Sequence, residues 1–176
     1  VLSKKIVIAG AGIGGLCAAL ALAKRGFEVT IYEQSSQVSE VGAGLQLSPN
    51  AMHVLQALGI AAEVKAKAFS PDSAVMRHYQ TGKIYFTVPL GDTAVQKYGA
   101  DYLHIHRYDL HLALLHACKK LKVSIHLGQA IQSYQHTPKI FSTHHSSLQN
   151  TALNNQPPGN QSAQKLTIHF DNKECL

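Results

Sequence analysis

Ile6-Val7-Ile8-Ala9-Gly10-Ala11-Gly12-Ile13-Gly14-Gly15-Leu16 is the stretch on which the fold turns. A short β-branched run ends in glycine, and Ile13, Leu16, Leu20 and Ala23 follow at helical spacing until Lys24, Arg25 and Gly26 close the pattern. A buried strand therefore passes through a tight turn into a helix. Phe27 to Tyr32 alternates into a second strand, giving a βαβ unit of about thirty residues whose strands run parallel through a right-handed crossover. Gly10, Gly12 and Gly15 fit G-x-G-x-x-G between that strand and helix. Gly10 allows the turn, Gly12 lets the backbone approach a pyrophosphate, and Gly15 lets the helix lie close on the sheet, while the helix N-terminus offers unpaired N–H groups and partial positive charge. Glu33 ends the second strand twenty-three residues after Gly10, near the spacing of about twenty at which a carboxylate accepts hydrogen bonds from an adenosine ribose. The pattern predicts a dinucleotide site. The negative Glu33 would repel a 2′-phosphate, which favours FAD or NAD over NADP.

Outward from this unit, Val38 to Leu47 contains Gly42 and Gly44 and reads as a loop, and Ser48-Pro49-Asn50 starts a helix through Met52, Leu55 and Leu58 that ends near Gly59. Ala74 to Tyr79 and Lys83 to Val88 flank Thr81-Gly82 as a hairpin. Tyr102 to His106 is a further strand, Leu110, Leu114, Ala117 and Leu121 mark a helix closed by Lys119 and Lys120, and Val123 to Leu127 is a strand that stops at Gly128. Ile131 to Tyr134 continues it after a turn. From Ser142 to Gln164 the chain turns to Ser, Asn, Gln, His and a Pro157-Pro158-Gly159 break, the composition of an exposed insertion or linker. Alternation resumes at Leu166, Ile168 and Phe170. A strand so near Leu176 with nothing following to cover it leads us to expect a fragment of a longer protein. No internal repeat is visible.

Composition narrows the classes. With 176 residues, 45% hydrophobic and 15% charged, the chain has the makings of one compact domain. Sixteen Lys and Arg against ten Asp and Glu give +6, spread along the chain, which argues only weakly for nucleic acid and equally suits a small anionic ligand, so no nucleic-acid partner is expected. Lys119, Lys120 and Lys122 read as a helix terminus. Cys17, Cys118 and Cys175 are an odd number without metal-ligand spacing, so we expect a reducing compartment, the cytoplasm, and no disulfide scaffold. Lys4 and Lys5 before eighteen uncharged residues imitate a signal peptide. Four glycines in that run each weaken a continuous helix by roughly 1 kcal/mol relative to alanine, so neither export nor a membrane span is expected. Among eleven histidines, His104 and His106 share a strand face and His144 and His145 lie in the polar stretch, but no Cys, Asp or Glu completes a ligand set and no metal is expected.

Gly10 to Gln34 (GAGIGGLCAALALAKRGFEVTIYEQ), Val41 to Ala51 (VGAGLQLSPNA) and His104 to Leu110 (HIHRYDL), in this order and spacing, resemble the N-terminal part of the FAD-dependent aromatic hydroxylases of the salicylate-hydroxylase type. The first segment is shared by many FAD and NAD proteins; the second and third together are fairly specific. The likeness covers nearly the whole chain apart from Ser142 to Gln164. It implies an α/β, Rossmann-like FAD-binding domain with a parallel core and a hairpin insertion, spanning 1–176, with the hairpin at about 73–90 beginning the substrate-side sheet. Gly10, Gly12, Gly15 and Glu33 would hold the ADP half of FAD, with Gly14 and Gln34 beside them. Gly44 and Gln46 would run along the flavin, Arg107 would reach the pyrophosphate and ribityl chain, and the backbone of Ile131 would meet the adenine. The family's later Asp-Gly and Gly-Asp segments would fall beyond Leu176, and no catalytic acid or base is assignable. A full-length relative would reduce FAD with NADH or NADPH and use oxygen to hydroxylate a small aromatic substrate, and the present chain alone is expected to be inactive. The alternatives are an FAD-dependent oxidoreductase of another class, or a non-catalytic remnant or interaction module.

Overall fold

The computed structural model describes residues 4–37, 42–137 and 165–171. The chain divides into two units, 1–129 and 130–176. In the first, β1 (Lys5–Ala9), α1 (Ile13–Ala23) and β2 (Glu28–Tyr32) form the expected βαβ unit, with β1 and β2 parallel in a register that pairs Ile6 with Val29 and Ile8 with Ile31. The later strand β7 (Ser124–His126) joins the free edge of β2, also parallel, in the order β1-β2-β7.

The elements follow from side-chain pattern. Val29 and Ile31 alternate into the core from β2, and Leu16, Ala19 and Leu20 form the buried stripe of α1. The opposite side chains of β1, Lys5, Val7 and Ala9, are exposed. Against α1 lies α5 (Arg107–Lys120), whose Leu110, Ala113, Leu114, Ala117 and Cys118 are buried in the same core and whose last turn carries Lys119 and Lys120. Cys118 donates its thiol proton to the Leu16 carbonyl at 3.4 Å, tying the two helices where alanines let them approach.

Helix α2 (Pro49–Leu58) starts at Ser48-Pro49 and stops at Gly59, whose φ of +80° is the left-handed cap that glycine adopts without strain. Residues Gly44–Leu47 are a strand, β3, where the sequence predicts a loop; the first part of that predicted loop, 38–41, lies outside the described residues. β3 pairs antiparallel with β6 (Leu103–His106), Gly44 opposite His106 and Gln46 opposite His104. Glycine and polar residues hid this strand, whose stability comes from Leu45 and Leu47 meeting Ile105 and Leu103 on the inner side. Two short helices were also unanticipated, α3 (Ala61–Lys65) and α4 (Gly91–Tyr98), the second opening on a Gly-Asp pair that reads as a turn.

The hairpin comprises β4 (Ser73–Arg77) and β5 (Ile84–Pro89), and every residue of both strands is exposed, including Met76, Tyr85 and Phe86. In the second unit, β8 (Ile131–Thr137) pairs antiparallel with β9 (Lys165–Phe170), so Ile131 to Tyr134 belongs to a separate ladder and does not prolong β7. The predicted polar insertion at Ser142 to Gln164 and Cys175 lie outside the described residues. Among the described residues no helix is long and apolar enough to cross a membrane.

Candidate functional site

The turn at the end of β1 is held by its backbone. Gly10 has φ +95°, a conformation that side chains resist, and its N–H donates to the Tyr32 carbonyl at 2.7 Å. Gly12 caps α1 with extended backbone and no side-chain partner, leaving first-turn N–H groups and the positive end of the helix dipole facing outward. Gly15 is needed for packing: a Cβ there would overlap the Gly10 carbonyl oxygen and stand 3.2 Å from its carbon. Around Gly14 no atom lies within 4 Å of a would-be Cβ.

Glu33 sits where β2 ends, its backbone fixed by its own N–H to the His126 carbonyl at 2.9 Å and by the Gln129 N–H to its carbonyl at 2.8 Å. Its carboxylate bends back to the glycine turn, with Oε2 accepting from the Ala11 N–H at 2.7 Å and Oε1 from the Ser35 N–H at 2.9 Å. Partial burial pushes the carboxyl pKa up, but hydrogen bonds from Ser35, Ala11 and Gln34 outweigh it and leave the group below its ordinary value. Glu33 is thus an anion at neutral pH. Its oxygens only accept, so hydroxyl and N–H donors suit them.

The other wall comes from α5. The β3–β6 ladder places the second and third sequence segments side by side, and the Arg107 N–H donates to the Ala43 carbonyl at 3.2 Å. A Cβ at Gly42, where φ is +140°, would come within 2.8 Å of the Arg107 Cδ, so glycine makes room for that side chain. Four residues on, one helical turn away, His111 brings Nε2 to 2.6 Å from the Ala11 carbonyl oxygen.

These groups line one cleft of about 150 Å³, formed by Ala11, Gly12, Glu33, Ser35, Gln37, Arg107, Tyr108, His111 and Leu127. Of the residues singled out in the sequence, Gly12, Glu33 and Arg107 line it, and Gly10, Gly14 and Gly15 shape the turn beside it. Gln34 is exposed next to Glu33 without lining the cleft, and Gly44 and Gln46 occupy the exposed side of β3. Ile131 begins β8 in the second unit. Tyr108 and His111 were missed, although an i, i+4 step from Arg107 on a predicted helix puts His111 on the same face. Ser35, Gln37 and Leu127 carry no sequence signal of comparable kind.

The FAD binding domain family matches residues 3–150. Over 115 residues the chain is 44% identical to 3-hydroxybenzoate 6-hydroxylase of Polaromonas naphthalenivorans, covering 65% of this chain and 29% of that protein. It is equally 44% identical to 6-hydroxynicotinate 3-monooxygenase of Pseudomonas fluorescens, covering 65% of this chain and 30% of that one. Among solved structures, the tetrameric form of 2-methyl-3-hydroxypyridine-5-carboxylic acid oxygenase superposes with a TM-score of 0.66 at 27% identity, over 74% of this chain and 33% of the other. The chain spans about a third of the length of these proteins or less. The glycine turn, the Glu33 anchor and the Arg107 wall thus sit in a chain that belongs to the FAD binding domain family, whose matched relatives include aromatic hydroxylases.

Proposed function

We propose that this chain is the FAD-binding portion of a flavin monooxygenase that hydroxylates a small aromatic ring, with NADH or NADPH as reductant and oxygen as co-substrate. The observation that carries the reading is the convergence on one cleft of the glycine turn and Glu33 with Arg107, which lies more than seventy residues from either in the chain. The two hydroxylase relatives named above support the reaction class, and their substrates, 3-hydroxybenzoate and 6-hydroxynicotinate, are small aromatic acids.

The donor set fits FAD. Glu33 offers an ionised carboxylate able to accept from ribose hydroxyls, the α1 N-terminus offers N–H groups to a pyrophosphate, and Arg107 brings a permanently charged guanidinium suited to phosphate oxygens. At about 150 Å³ the cleft is smaller than the 300–1,000 Å³ typical of whole-ligand pockets, as suits the diphosphate and adjoining ribose of a larger cofactor. Gly14 and Gln34 would flank the ADP half, and Gly44 and Gln46 would lie along the flavin. Bound FAD would supply the redox and oxygen chemistry, and this chain's own part is to bind, orient and shield it.

We assign 1–176 to the N-terminal portion of the FAD-binding domain. The hairpin at about 73–90 begins the sheet over the substrate, which its exposed Met76, Tyr85 and Phe86 support, and 142–164 is an insertion. Free Cys17 and Cys118 support a reducing, cytoplasmic setting, and the dispersed positive charge supports a small anionic ligand over nucleic acid. Calorimetric titration of FAD into the chain and into Glu33→Ala and Arg107→Ala tests the site. Each variant is expected to bind about 1–3 kcal/mol more weakly through loss of a charge-assisted hydrogen bond. Unchanged affinity in both would overturn the assignment.

A further inference from the structure

We propose that His111 is a positioning residue for the cofactor: its Nε2–H holds the Ala11 carbonyl and, with Glu33 on the N–H of the same residue, locks the glycine turn in its binding conformation. The inference rests on the flavin reading above and adds to it a residue that none of the three sequence segments assigned. The Gly10-Ala11-Gly12 turn has almost no side chain with which to hold itself, and glycine surrenders the most backbone freedom when ordered. The turn is restrained from outside. Gly10 N–H is bound to Tyr32 at 2.7 Å and Ala11 N–H to Glu33 at 2.7 Å, both from the end of β2. The contact from the opposite side is His111, at 2.6 Å.

A carbonyl oxygen only accepts, so Nε2 of His111 carries the proton of this bond. Because the C=O of Ala11 belongs to the same planar peptide as the N–H of Gly12, fixing one fixes the other. Ala11 is 3% exposed, so a carbonyl deprived of this donor would not be readily repaid by water. His111 is half-buried on the face of α5 that also carries Arg107, one turn earlier. It therefore sets the distance between the two walls that would grip a pyrophosphate. Without it, the turn would have to be ordered when ligand arrives, and affinity would fall by the cost of that ordering.

The test compares the wild-type chain with His111→Leu, which removes the donor, and His111→Gln, which keeps an N–H donor. FAD affinity is expected to fall about tenfold in His111→Leu and to return to within about threefold of wild type in His111→Gln. A purely space-filling role would favour Leu over Gln and overturn the proposal, as would equal affinity in all three. Glu33→Ala combined with His111→Leu should be non-additive, since both act on one residue, and strict additivity would count against it. A ligand-free readout separates this from the flavin reading. Nitrogen-15 spectra should show the His111 ring protonated at Nε2, and the Ala11 amide should exchange faster in His111→Leu than in wild type or His111→Gln. If wild type takes up no FAD, the flavin reading fails, and the role of His111 then stands or falls on these exchange rates alone.

Discussion

Replacing Gly15 by alanine should destabilise the chain, whereas the same change one residue earlier should stabilise it. Both glycines lie in α1, where alanine is favoured over glycine by about 1 kcal/mol. At Gly14 nothing lies within 4 Å of the new methyl, so most of that gain should be realised. At Gly15 the methyl would overlap the Gly10 carbonyl oxygen and press 3.2 Å from the carbonyl carbon, with Ile8 Cγ2 at 3.5 Å behind. The obstacle is backbone that cannot yield cheaply, because Gly10 is pinned to Tyr32 at 2.7 Å and already sits at φ +95°. Overpacking of this kind costs roughly 1–3 kcal/mol, and the overlap of a rigid carbonyl places Gly15→Ala toward the upper end. Subtracting the propensity gain leaves a net loss of about 1–2 kcal/mol, or a melting temperature lowered by roughly 2–8 °C. Thermal and urea unfolding of wild type and the two variants without ligand would read this directly. A Gly15→Ala chain as stable as wild type would refute the claim that α1 needs glycine to lie against the turn.

Two further outcomes concern ionisable groups. Hydrogen bonds from Ser35 and Ala11 to Glu33 hold its carboxyl below the ordinary value of 4.5, so they contribute stability that is complete above about pH 4.5 and is lost as pH falls through the lowered folded value. Acid unfolding should therefore be shallower in Glu33→Gln than in wild type, and parallel curves would contradict it. Cys118 is fully buried, and burial with the neighbouring Cys17 thiol pushes its pKa up to about 11, so its native alkylation near neutral pH should be much slower than in denaturant. Equal rates would show that the α1–α5 contact is open.

The βαβ core was legible because its two signals agree: a β-branched strand and a 3.6-residue stripe meet at glycines whose positions are dictated by sterics. Glu33 was legible for the same reason, as strand length fixes where β2 ends. β3 was not, because Gly44 and Gln46 suppress the alternation, and the strand exists through its pairing with β6, sixty residues away. That pairing is also what carries Arg107 to the turn. His111 was missed because a histidine in an amphipathic helix has many ordinary uses, and only the fold reveals a carbonyl 2.6 Å from its ring. The helices α3 and α4 are too short for periodicity to register.

Parallel titration of the chain with FAD and with NAD reads out whether this cleft takes FAD. Both carry an adenosine diphosphate, so the Glu33 contact is common to the two. Discrimination must come from the Arg107 side, where the β3–β6 ladder adds a wall that the βαβ unit does not itself provide. FAD is expected to bind more tightly than NAD, with the preference reduced in Arg107→Ala. Equal or tighter binding of NAD would overturn the FAD assignment.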